Sequence, residues 1–317
     1  MNRYIFSQRW KGSFFLWLVA LSGASALANN VKLVREGELV KITGDMQPNS
    51  ITVTQSNTGN LTVTGSNGTL VNGQPSDTLR GFAINAMEVL MNGGNDRVSF
   101  SNVRIANDLF INLGTGNDLV LTGGMPSLVG ANCTIEGDLG TETVRLTGWT
   151  IGGDLNVFGG TGLLNATLSQ LSVGFGLTVI GDSLNDSVSI LGCEIGDITT
   201  VETKSGADKI AVTDFIGFGL SVSTDTGIDQ VSMTNVVTLE DIGVNTGTEG
   251  DSVVMTTVSS GKNILVSLDA GADSFVGTSV SAAFDAVFEG GAGTDTFGDF
   301  GVFGVEKTEI KEFEIFL

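Results

Sequence analysis

Residues 112–123 read NLGTGNDLVLTG, and the inner pattern of glycine, spacer, acid and short apolar run returns down the chain at one register. Aligned on the acid, it falls at positions 96, 118, 142, 164, 186, 208, 229, 251, 273 and 295, in steps of 22 residues apart from one of 24 and one of 21. Nine of the ten are acidic (Asp96, Asp118, Glu142, Asp186, Asp208, Asp229, Asp251, Asp273, Asp295), and Leu164 alone breaks the column. Glycine stands two residues earlier in eight of ten, and an apolar residue stands two later in all ten, from Val98 to Phe297. A fixed period in this range marks a stacked repeat.

Each unit has a second half. A further polar turn is expected at Asp108, Asn132, Asp154, Asp197, Asp241, Asn263 and Asp285, followed by an apolar column through Leu109, Cys133, Leu155, Leu177, Ile198, Leu220, Ile242 and Ile264. Another column, Val103, Met125, Trp149, Leu171, Cys193, Phe215, Val236, Val258 and Val280, is expected to fill a corner of the core. Alternation of period two, rich in β-branched residues, means strands, and 22 residues are too few for a strand-helix-strand crossover. The spacing therefore predicts an all-β fold, a parallel β-solenoid (β-helix) of about ten 22-residue coils. At about 4.8 Å per coil, ten coils make a rod of roughly 48 Å. In each turn, glycine supplies a positive φ without steric cost and Asp or Asn bonds its own backbone two residues on.

The ends depart from the register. Residues 1–28 carry Arg3, Arg9 and Lys11, then FFLWLVALSGASALA and a small-residue site, the pattern of a cleaved signal peptide. Residues 29–90, with SITVTQSNTGNLTVTG, are expected to form an N-terminal β cap; residues 91–299 are the repeats, and residues 300–317 a C-terminal capping strand. No later segment is long and apolar enough to span a membrane. Secretion, the periplasm or the cell surface is the expected location.

The formal charge is −20, and −23 without the leader, which makes nucleic acid and anionic membranes poor partners. Cys133 and Cys193 lie about three coils apart, beyond the ~7 Å reach of a disulfide, and read as buried thiols. The chain has no histidine, and its cations are scattered, against the acid–base chemistry of β-helix lyases and hydrolases. Trp149 is the one tryptophan past the leader and faces the core column, so no aromatic platform for sugars is expected. Threonines fill no column of the register, against an ice-binding array.

Carboxylates one coil apart repel by about 0.9 kcal/mol in water and around 3.5 at an effective dielectric of 20. Two things can offset this, the turn amides or a hard cation bound between coils. GGAGTDTFG at 290–298 resembles the nonapeptide G-G-x-G-x-D-x-U-x of the RTX calcium-binding repeats, and GTGNDLV at 114–120 resembles it without the first glycine. In those repeats the nonapeptide comes twice per coil, and here it comes once. The resemblance implies calcium, with carboxylate ligands Asp208, Asp229, Asp251, Asp273 and Asp295 and carbonyl ligands from Gly271, Gly291 and Gly293. More broadly, the chain resembles exported Gly/Asp-rich parallel β-helix repeat proteins of Gram-negative environmental bacteria. The expected function is a non-catalytic structural or adhesive module with an unknown extracellular or cell-surface partner; a polysaccharide-acting lyase or hydrolase is the alternative.

Overall fold

The computed structural model describes residues 29–317, and the expected signal peptide, residues 1–28, lies outside them. No helix occurs among the described residues; 31 strands join in one hydrogen-bonded system that winds as a solenoid of about ten turns. Coils lay down three strands, as in Leu155–Phe158, Leu163–Ser169 and Ser172–Val173, the last two running on as one in later coils, as in Gln230–Thr238 and Ser252–Ser260. Every one pairs in parallel with its equivalent one coil away, giving three ladders that we call the first, second and third faces.

Equivalent apolar residues stack as the period predicts. On the second face Val98 pairs with Val120, Val144 with Ala166, Val188 with Ile210 and Val253 with Phe275, all at most 1% exposed. One hydrophobic cluster runs from Val31 to Phe313. Each fully buried aliphatic or aromatic side chain contributes roughly 1.5–3 kcal/mol. Towards the C-terminal end the filling becomes aromatic, where Phe275 stacks on Phe297 at 5.2 Å and Phe313 meets Phe297 edge-on at 5.1 Å. Trp149 is buried as expected, edge-on to Phe100 at 5.6 Å, and its indole N–H donates to Thr122 Oγ1 at 2.8 Å. Cys133 and Cys193 are free and buried.

Two expectations are corrected. Thr199, not Ile198, pairs with Leu177 and Leu220, because the strand Glu194–Glu202 slips register between Ile195 and Ile198; Thr199 is fully buried and Ile198 is 51% exposed. In the 24-residue coil the two additional residues bulge out before the corner, so Met125 is 62% exposed and Ser127 takes its place in the core column. Thr213, Thr234, Thr256 and Thr278 stand in register on the second face, but the same column holds Ser169, Leu191 and Phe300, so threonine does not fill it.

The corner between the second and third faces is turned by single residues in the left-handed region. Asn102, Gln170, Asp214, Asn235, Thr257 and Ser279 have φ between 51° and 56°. At the N-terminal end, Leu39–Thr43 and Ser50–Gln55 extend the first and second ladders in parallel, while each pairs antiparallel with a second strand, Asn30–Glu36 or Leu61–Gly65. At the other end Lys307–Lys311 and Ile315–Phe316 keep to parallel pairing.

Candidate carboxylate column

The turn between the first and second faces brings the repeated acids into the wall of the core. Asp96, Asp118, Glu142, Asp186, Asp208, Asp229, Asp251, Asp273 and Asp295 are all at most 2% exposed. They do not bond their own turn two residues on. Each aspartate instead reaches along the rod, and its Oδ1 accepts the main-chain N–H of the equivalent residue one coil earlier.

The N–H groups of Asp186, Asp208, Asp229, Asp251 and Asp273 thus donate to Asp208, Asp229, Asp251, Asp273 and Asp295 in turn, at 2.6–2.8 Å. Leu164 N–H donates to Asp186 and Asn49 N–H to Asp96, and the series ends where Asp295 N–H donates to Glu314 Oε2 at 2.7 Å. Charge-assisted bonds of this kind are about twice as strong as neutral ones.

The glycine two residues before the acid is explained by the same stacking. A Cβ on Gly227 would lie 1.5 Å from the Gly206 carbonyl oxygen, and one on Gly293 would lie 1.5 Å from that of Gly271. Gly227 has a positive φ, at 137°, but Gly271 and Gly293 do not, so close approach of successive coils is the common requirement. Gly291 combines both, with φ 93° and the Asp269 carbonyl oxygen 1.7 Å from its would-be Cβ.

A second inward position, five residues before the acid, escapes the sequence pattern. Glycine occupies it at Gly137, Gly159, Gly181 and Gly290, where a Cβ would meet Glu142 Cγ at 2.2 Å, Leu164 Cβ at 2.9 Å, Asp186 Oδ2 at 1.8 Å and Asp295 Cβ at 3.0 Å. The column side chain of each of these coils thus leans into space that a neighbouring side chain would fill. Threonine occupies it at Thr203, Thr224 and Thr246, all fully buried. Their hydroxyls temper the burial of Asp208, Asp229 and Asp251, although those of Thr203 and Thr246 reach no acceptor with hydrogen-bond geometry.

Burial disfavours the charged form of the acids in the column. Desolvation pushes Glu142 up to about 8, Asp96 to about 7 and Asp118 to about 6; the neighbouring Asp118 charge adds to the first two. Asp186 and Asp273 rise to about 6 and Asp251 to about 7, again chiefly by desolvation, and Asp208 and Asp229 are raised for the same reason. The second oxygens of Asp208, Asp229, Asp251, Asp273 and Asp295 are buried with no hydrogen-bond partner, as are both oxygens of Glu142.

The five aspartates expected as calcium ligands are thus brought together in consecutive coils, with one oxygen each bonded and one orphaned. Calcium prefers 6–8 oxygens at 2.3–2.6 Å. The orphaned Oδ2 atoms suit a hard cation, but they come one per coil, and no group of three acidic, His or Cys side chains forms a metal cage among the described residues.

A separate row lies on the turn between the third and first faces. Asp108, Asn132 and Asp154 accept the N–H groups of Asn132, Asp154 and Gly176 at 2.8–3.0 Å, and Asp241 and Asn263 do the same further along. Comparison with protein-family models, curated proteins and solved structures finds no match to this chain.

Proposed function

We propose that the chain is an exported, non-catalytic structural or adhesive module, a straight acidic rod working at the cell surface, in the periplasm or in surrounding matrix. One observation carries this reading. The backbone bonds and the hydrophobic core of every coil are shared with both neighbours, from Val31 to Phe313, so the rod resists bending and local opening together. The leader pattern of residues 1–28 supports export. Cell fractionation tests the location, and a chain retained with its leader in the cytoplasm overturns it. Release of unsaturated ends from pectate or alginate by the purified protein would overturn the non-catalytic part.

Calcium between the coils belongs to the same reading and is supported by the orphaned Oδ2 atoms of Asp208, Asp229, Asp251, Asp273 and Asp295. A bound ion would neutralise charge that desolvation now opposes. The expected result is a higher melting midpoint in calcium than in chelator, reduced in Asp251→Asn/Asp273→Asn. Coincident melts in calcium and chelator remove the ion and leave the rod.

A further inference from the structure

The outward columns of the second face start at Arg97, Ser99 and Ser101 and run, coil by coil, to Thr296, Gly298 and Phe300. No Asp or Glu stands in any of them, although the chain holds 35 acids. About half of the residues are Ser or Thr, with Asn165 and Gln230, and Leu119, Leu121, Leu191, Val254, Val276 and Phe300 break the polar rows. Thr52 and Thr54 extend the face beneath Ser99 and Ser101. Parallel stacking keeps it straight, and nine coil steps of about 4.8 Å by four residue steps of about 3.3 Å give roughly 43 by 13 Å.

Three cations rise from this face: Arg97, Arg145 and Lys209, all exposed. None is in an ion pair among the described residues, and neither are Lys32, Arg35, Arg80 and Arg104 elsewhere, whereas Lys41, Lys204, Lys262, Lys307 and Lys311 each hold a carboxylate. Arg97 and Lys209 share one column and Arg145 lies between them in the next, so the charges trace a line along the rod.

A carboxylate on the face would repel an anionic partner, and none is there. Both the exclusion of acids and the unpaired cations point to an anionic partner. Only Phe300 offers an aromatic ring here, so recognition rests on charge and hydroxyl groups and not on stacking of bases or sugar rings. The hydroxyls and amides match a partner rich in hydroxyl groups.

We propose that the second face is a docking surface for an extended acidic polysaccharide, lying along the rod with its carboxylates at Arg97, Arg145 and Lys209. The inference rests on the reading of the chain as a non-catalytic surface module and names its partner class.

The test is retention of the full mature chain on immobilised polygalacturonate, in chelator so that calcium cannot bridge two acidic polymers. Binding is expected, weakening with salt and falling about tenfold or more in Arg97→Glu/Arg145→Glu/Lys209→Glu, as loss of charge complementarity requires. The control Lys204→Glu/Lys262→Glu, on the turns, should bind as the parent does. If the triple reversal unfolds by circular dichroism, Arg145→Gln/Lys209→Gln takes its place. Absence of binding, equal retention of the triple variant, equal binding to neutral dextran, or preference for single-stranded DNA would overturn the proposal. Unsaturated ends appearing on the polymer would instead sink the non-catalytic reading on which it rests.

Discussion

Asp229 shows what one residue of the carboxylate column does. It accepts the Asp208 N–H at 2.8 Å, and its own N–H donates to Asp251 at 2.8 Å. Asp229→Ala leaves a buried N–H without an acceptor and should cost about 1–3 kcal/mol, whereas Asp229→Asn keeps an acceptor oxygen and should cost under about 1 kcal/mol. Urea unfolding of both variants in chelator checks the ordering; equal losses would show that charge, not the bond, is what matters. The N-terminal part of the column also makes stability depend on pH. Asp118, Asp96 and Glu142 bind protons more tightly folded than unfolded, at about 6, 7 and 8 against ordinary values of 3.8, 3.8 and 4.5. Between those limits the native chain holds more protons, so stability is full below about pH 4 as far as these groups are concerned and falls as pH rises towards 8. The urea midpoint should be higher at pH 5 than at pH 8.5, and Glu142→Gln should flatten the upper part of that slope. The column itself was legible in the sequence from its spacing. Its role was not, because glycine beside aspartate is equally the pattern of a solvated turn, and only burial distinguishes an acid that caps its own turn from one that bonds the coil before it.

At the level of the element, glycine columns divide by what lies above them. Gly227→Ala would drive a Cβ into the Gly206 carbonyl and should cost at least about 3 kcal/mol, among the largest single-site effects. Gly243, on the outward side of the first face, has nothing within 4 Å of its would-be Cβ. Gly243→Ala should be neutral or stabilise by up to about 1 kcal/mol, since a strand glycine loses more freedom on folding than alanine. Thermal or urea melts of the pair decide whether coil spacing, and not turn flexibility, selects the glycines. The same contrast explains where register was misread. Ile198 and Met125 were placed inward because a constant period was carried through them, yet hydrophobicity cannot report a one-residue slip or a two-residue bulge. Thr199 and Ser127 are polar residues in core columns, and no apolar pattern finds them. The left-handed corner was equally hidden, since Gln170, Thr257 and Ser279 are not residues that announce a positive φ.

For the whole molecule, coil count and strand class follow from period alone, because stacking forces equal residues to share one environment. What the ends do is set by pairing that breaks the period, as at Asn30–Glu36 against Leu39–Thr43. The C-terminal end matters disproportionately, since Glu314 supplies the last acceptor, to Asp295 N–H, and Phe313 covers Phe297. A chain cut after residue 304 should melt at a lower temperature than Glu314→Ala, and both below the parent, as calorimetry can measure. The carboxylate series runs one way: every acceptor belongs to the coil that comes later in the chain. A rung made by an emerging polypeptide therefore stays chemically incomplete until its successor has been synthesised. Whichever rung is last to arrive sits against an open donor, so closure is retroactive, with each new lap finishing the one already in place.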